Sequence, residues 1–424
     1  MIKKSLNVLF NTQIYLLINR LLLFINFSTS IYLSSRYLSS EEITILLSIM
    51  SLIGIIFFLD FGIVNTAQKK LLVNKNNKSF KSEAINFLLI SLFNSIFISI
   101  TLAIFLYFFD INLIFNFTEI QNLNETKKAI YLFIVGFGFQ LNNMFFEKYS
   151  IVSGNEKKYF SISFYVLVIN FFLILVFTHN FTSLSKLIFL NYFFYNFLLM
   201  LINYFDFIKK SSLRRFDKLK TIKNYLLQIR QDLFKFFCIS ISTIFCFGID
   251  PYLISYYFGV ESSGSYTIMQ RLFQFLIIPI LIFNGPITKF YVSINNSIDT
   301  KKIIKFIIFI TIFLYIFFYI FLIFFGKSII GFWTNDKILI SSLMIIAFSL
   351  RSLSEALMIN LTNYLNSKDL IKKQFIFSIV MILIAIPVKI LIIKNYDIEI
   401  MLIAFSFIYM IIFSLIYYFG PNEK

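Results

Sequence analysis

The stretch FIIFITIFLYIFFYIFLIFF, from Phe306 to Phe325, runs for twenty residues without a charge, a proline or a glycine. As a helix it would cross about 30 Å, the thickness of a bilayer's hydrocarbon core. Within lipid every backbone amide and carbonyl must find a partner, so only helices and closed barrels span the membrane. Barrel strands would show weak alternation over roughly ten residues, which this run lacks. It predicts a transmembrane helix, and similar runs recur along the whole chain. With 59% hydrophobic and 14% charged residues and a mean hydropathy of +0.83, the protein has too little polar surface to be a water-soluble globule.

A window of about 19 residues divides the 424 residues into twelve spans: 11–33, 43–67, 84–109, 128–152, 160–178, 184–207, 234–258, 265–291, 303–325, 338–363, 374–394 and 398–419. The first follows two lysines and has no small-residue cleavage site, so it reads as a retained span and not as a signal peptide. Of the 38 lysines and arginines, with those near a span end counted with the adjoining loop, 27 fall at the N-terminus, in the even-to-odd loops and in the tail, 7 in the opposite loops and 4 deep within spans. That asymmetry predicts a multi-pass inner-membrane protein with both termini cytoplasmic. It also accounts for the formal charge of +17 through anionic headgroups, with no need of nucleic acid.

The longest polar segment, 209–232, separates an N-terminal lobe (1–208, spans 1 to 6) from a C-terminal lobe (233–424, spans 7 to 12). Leu213, Phe216, Leu219, Ile222, Leu226, Ile229 and Leu233 recur every three or four residues, which predicts an amphipathic helix on the cytoplasmic leaflet or, failing that, a disordered tether. The halves echo one another. YLSSEE from Tyr37 and YFGVES from Tyr257 sit 220 residues apart, and SGNEKKYF from Ser153 corresponds to NSKDLIKKQF from Asn366. Duplicated lobes with a cavity between them are a common transporter plan.

Charge inside lipid costs about 2.5 to 3.5 kcal/mol per residue on insertion scales, so intramembrane charges mark function or pairing. Arg20, Arg271, Arg351 and Lys389 are the basic residues deep within spans, and Asp60, Asp250 and Glu355 stand out as the acidic ones. At 1.5 Å per residue, Arg20 lies about 13 Å and Asp60 about 10 Å from the cytoplasmic ends of their spans, while Asp250 and Arg271 lie about 12 and 9 Å below the outer ends of theirs. Matched depths predict the pairs Asp60 with Arg20 and Asp250 with Arg271, as static counter-charges, as a gate that exchanges partners, or as an ion-coupling site. Arg351 and Glu355, four apart, share a helix face and can neutralise each other. Pro387 and the run Asn284, Gly285, Pro286 interrupt helical hydrogen bonding as hinges or as packed kinks.

RYLSSEEITILLSIMSLIGIIFFLDFGIVN, from Arg36 to Asn65, resembles the opening hairpin of Wzx-type polysaccharide flippases. GIDPYLISYYFGVESSGSYTIMQRLFQFLIIPI, from Gly248 to Ile280, is similar to their seventh and eighth spans, with its aspartate, its G-x-x-x-x-G-x-Y turn and its arginine. Ser262 and Ser263 depart from that pattern, where a proline or a second acid is often seen. The resemblance places the chain in the polysaccharide branch of the MOP (multidrug, oligosaccharidyl-lipid, polysaccharide) exporters. It implies an all-α, MATE-like fold and an activity: flipping undecaprenyl-pyrophosphate-linked oligosaccharides outward, with membrane lipids, a polysaccharide polymerase and a chain-length regulator as partners. A carrier of that anionic headgroup needs cationic groups at membrane depth, which assigns Arg20, Arg271, Arg351 and Lys389 to the substrate and Asp60, Asp250 and Glu355 to gating or ion coupling.

The remaining chemistry argues against enzymes. Cys238 and Cys246 are eight apart on one helix, too far to bridge. His179 is the single histidine and sits in an outer loop, and no phosphate-binding loop, metal cluster or catalytic triad can be assembled, so neither cofactor nor metal is expected. The 59 phenylalanines read as lipid-facing filler from a biased composition and not as sugar platforms. Two alternatives stay open: a small-solute or drug antiporter on the same fold, and a polysaccharide polymerase or ligase. The latter would normally carry a large outer loop, and the longest here has about 18 residues.

Overall fold

The computed structural model describes residues 2–39, 42–47, 49, 60–75, 77, 79–108, 123–177, 183–211, 219–259, 261–274, 277, 297–367 and 370–419. Among these the chain is all-helical. Ten helices are long and apolar enough to cross a membrane, carrying the first, third to seventh and ninth to twelfth expected spans. The second and eighth fall partly outside the described residues, as do His179 and the Asn284 to Pro286 break.

The described chain forms two compact units, one of residues Ile18–Ile244 and one of Met1–Leu17 with Phe245–Lys424. The hub of the first is the fourth span, on helix Leu123–Ser153, two thirds of whose apolar window is buried. Its sequence explains that position. Gly136 lets the backbone of Phe193 approach to 3.0 Å of where a Cβ would stand, and Gly138 admits the Ser99 hydroxyl at 2.7 Å. Small residues of this kind allow close helix contact where no hydrophobic force distinguishes protein from lipid. The amides of Asn142 and Asn143 then bind across the gaps, Asn142 Nδ2 donating to Ser95 Oγ at 3.0 Å and Asn143 Nδ2 to the Asn196 carbonyl at 2.9 Å.

The first and fifth spans run parallel, as two odd-numbered spans must. Asn19 donates to the Phe160 carbonyl and Asn26 to that of Leu167, so both helices advance by seven residues between contacts. The sixth span contains a π-helical segment, Phe189–Phe194, between helices Leu184–Ile188 and Tyr195–Ser211.

The amphipathic pattern of 209–232 is resolved differently from the expected surface helix. Helix Tyr195–Ser211 carries its start, 212–218 lie outside the described residues, and from Leu219 the chain is one continuous helix with the seventh span, Leu219–Thr243. From Tyr225 onward it meets protein: Tyr225 packs edge-on against Phe87, and Asp232 holds Lys69 and Lys70 at 3.4 and 3.8 Å.

In the second unit the tenth span contacts its neighbours most, while the ninth, Ser297–Thr334, is the least buried of the ten. Phe306, Phe309, Phe313, Phe317, Phe321 and Phe324 line its exposed side at three- to four-residue spacing, in keeping with a lipid-facing role for these phenylalanines. Cys238 and Cys246 are buried free thiols.

Candidate functional site: a buried ionic cluster in the seventh span

Two local features of the sequence shape the seventh span. The helix widens into a π-turn at Ile244–Gly248, and a new helix, Asp250–Phe258, begins with Pro251 in its first turn. Proline has no N–H, so the Phe247 carbonyl four residues earlier loses its usual helical donor. Carbonyls exposed in this way inside a membrane protein must be satisfied by other groups.

Two cations from distant spans meet that need. Lys389, on helix Ile371–Ile393, directs Nζ to the Phe245 carbonyl at 3.0 Å and to the carbonyl of Cys246, and it pairs with Asp250 Oδ1. Arg351, on helix Ser342–Ser367, donates Nη2 to the Phe247 carbonyl at 3.0 Å. Its Nε lies 3.4 Å from Asp250 Oδ2, close enough for charge pairing though not aligned for a hydrogen bond. Tyr266, the tyrosine of the G-x-x-x-x-G-x-Y turn, donates its hydroxyl to the same Oδ2 at 2.9 Å. Asp250 and Lys389 are each 1% exposed and Arg351 3%. Aromatic faces complete the enclosure, with Phe247, Tyr266 and Phe348 within 5.2 to 5.6 Å of the guanidinium and Phe405 4.2 Å from the ammonium.

This geometry corrects the expected pairings. Asp250 is engaged by Lys389, Arg351 and Tyr266, and its bridge is not to Arg271, whose Nη1 donates to Gln274 at 2.9 Å. The reason is the π-turn with Pro251, whose carbonyls hold both cations beside the carboxylate. Arg351 does meet Glu355, but only at 4.0 Å, and Glu355 keeps 31% of its side chain exposed, so Asp250 is the closer partner.

Asp60 is likewise not paired with Arg20. Its Oδ1 accepts from the Gly62 amide and its Oδ2 from that of Val64, both at 3.0 Å, at the start of helix Ile63–Val73. Arg20 reaches Glu147 on the fourth span at 3.6 Å, with 34% and 27% of the two side chains exposed. The Asp60 interaction is a helix-start device, for which an amide can partly substitute. Asparagine can accept through Oδ1 alone, so Asp60→Asn should lose one of the two contacts and Asp60→Ala both, the alanine variant losing about 0.5 to 2 kcal/mol and the asparagine variant less. Thermal melts of the purified variants check this, and equal losses from both would point to a need for the carboxylate's charge.

Pro387 lies inside helix Ile371–Ile393, which continues past it, so the eleventh span remains helical on both sides of the proline. Sequence reasoning missed Tyr266, Glu147 and the three backbone carbonyls. Pro251 directly after an intramembrane aspartate was the available signal, since it announces free carbonyls at that depth.

No family model matches the sequence, and no curated protein is significantly similar to it. Solved structures do match. The inward-facing form of a multidrug-resistance MATE transporter of the MOP superfamily is similar with a TM-score of 0.70 at 14% identity, covering 94% of this chain and 93% of that one. The outward-facing form of such a transporter gives 0.67 at 13% identity, over 97% and 94%. A MOP-superfamily transporter from Pyrococcus furiosus, described as having a binding pocket of reverse polarity that suggests a different function, gives 0.71 at 13% identity, over 97% and 94%. Identity this low speaks for a shared backbone path and not for shared chemistry. The chain therefore has the all-helical membrane fold of MATE-type transporters of the MOP superfamily.

Proposed function

We propose that this protein is a transporter of the MOP kind that flips undecaprenyl-pyrophosphate-linked oligosaccharides across the inner membrane by alternating access, with both termini in the cytoplasm. The observation that carries this reading is Arg20. It stands on a membrane-spanning helix, a third exposed, in loose contact with a carboxylate that is itself partly exposed. A pyrophosphate can compete for such an arginine, since the guanidinium fork matches phosphate oxygens and keeps its charge. Arg271, half-buried in the other unit, is the second candidate. Arg351 and Lys389 are already committed to Asp250 and backbone carbonyls, so their part in our reading is to hold the C-terminal unit together, with Asp250. Glu355 and Glu147 are the partly exposed acids left for gating. One fold relative is described as having a pocket of reverse polarity, so the fold is not tied to one pocket charge.

The test is restoration of surface polysaccharide in a flippase-deficient host, with membrane abundance followed by immunoblot. Arg20→Ala and Arg271→Ala should each reduce it at unchanged abundance, by an amount corresponding to about 1.5 to 3 kcal/mol of lost charge-assisted binding. Lysine should restore only part, because it lacks the bidentate fork. Full activity of the double alanine variant would remove the phosphate role. Loss of cationic-dye efflux in that variant, with polysaccharide unaffected, would favour a small-solute exporter instead.

A further inference from the structure

The Lys389 ammonium occupies a place with the donor set of an alkali-metal site. Its contacts are two backbone carbonyls, of Phe245 and Cys246, and one carboxylate oxygen of Asp250. Carbonyl and carboxylate oxygens converging on one point are what replace the hydration shell of sodium or potassium in proteins. Here they are presented by a π-turn and a proline-started helix, so the backbone and not a mobile side chain builds most of the cup. The formal charges around it, Asp250 and Glu355 against Arg351 and Lys389, balance. Without the lysine they would leave one net negative charge beside free carbonyls, in a place 1% exposed. A charge so buried must be compensated, and the cheapest compensation of that shape is a small monovalent cation.

We propose that Lys389 is a tethered counter-ion that permanently fills an alkali-cation site in the C-terminal unit. The site is latent in the native protein, and removing the lysine opens it to sodium or potassium. It follows that an exchangeable alkali cation does not act at this point in the native protein, and that Lys389 belongs to the architecture and not to substrate recognition. The inference does not depend on the identity of the transported molecule.

The experiment is thermal unfolding of the purified full-length protein in sodium, potassium or choline chloride at equal ionic strength. The native protein should melt at the same temperature in all three. Lys389→Ala and Lys389→Ser should melt lower in choline and regain several degrees in sodium or potassium, saturating with concentration as site binding does. Adding Asp250→Asn should abolish the regain. An alkali-specific shift in the native protein, or none in either variant, would overturn the proposal. So would failure of both variants to accumulate in cells, where potassium is abundant and should take the place of the ammonium.

Discussion

Asp250→Asn should be among the most damaging single substitutions in this protein, with a loss of about 3 to 5 kcal/mol, because it leaves two buried cations with no buried counter-charge. Lys389 and Arg351 would keep their carbonyl contacts, yet among the described residues the acid left near them is Glu355, 4.0 Å from Arg351 and partly exposed. The loss should be partly reversed by Lys389→Met in the same chain. That change removes one of the two orphaned cations and fills its volume with a neutral side chain of similar length. Melting temperature and the monodisperse fraction after detergent extraction are the measurements. An Asp250→Asn variant that melts like the parent would mean that the cluster contributes nothing to stability. A double variant no better than the single one would mean that the hydrogen bond from Tyr266, and not the charge balance, is what the aspartate supplies.

The membrane spans were legible because hydropathy is a one-dimensional property: an apolar run of sufficient length must be helical and must cross. Depth along a span is legible for the same reason. What a single sequence does not carry is azimuth, the direction in which a side chain leaves its helix relative to helices far along the chain. Asp250 and Arg271 sit at similar depths on consecutive spans, and depth alone makes them a pair. The π-turn at Ile244–Gly248 changes the rotation of the seventh span just before Asp250, and a π-turn has no reliable sequence signature. The role of Asp60 is legible in its local sequence. Aspartate two residues before a glycine, at the start of a helix, is the pattern of a side chain that accepts amides from its own turn. Glu147 did not stand out because it lies a few residues from the end of its span, where a carboxylate is ordinarily interfacial.

The two halves, similar in pattern, also differ in a way that bears on mechanism. The 220-residue offset that aligns Tyr37 with Tyr257 sets Ser30 opposite Asp250. Among the described residues the Ser30 hydroxyl meets neutral groups, the Asn26 carbonyl and the Asn191 side-chain oxygen. The N-terminal unit is thus held at that place by serine and asparagine, and the C-terminal unit by a closed ionic cluster. The carboxylate and guanidinium of Glu147 and Arg20 in the first unit remain partly open. In our reading the first unit supplies exchangeable charge, and the cluster in the second gives it a fixed internal geometry.

Gly62→Ala should be the other large loss, and its size can be dissected with a second glycine. Gly62 has φ +74°, a conformation that costs an L-residue roughly 1 to 2 kcal/mol. A Cβ there would stand 2.7 Å from Phe236 Cβ, 2.8 Å from the Phe237 amide nitrogen and 3.0 Å from the Leu233 carbonyl. Two of these atoms are backbone of helix Leu219–Thr243, so no rotamer change relieves the clash, and overpacking of this kind adds about 1 to 3 kcal/mol. Asp232 ties Lys69 and Lys70 to the same helix, so the two elements cannot simply part. Gly154 has nearly the same backbone, φ +79°, with nothing within 4 Å of its would-be Cβ. Gly154→Ala should therefore show the conformational cost alone, and the difference between the two melting-point shifts should report the steric contact of residue 62 with the seventh span. Equal shifts would show that the helices yield at that contact, and that Gly62 is required only for its left-handed backbone.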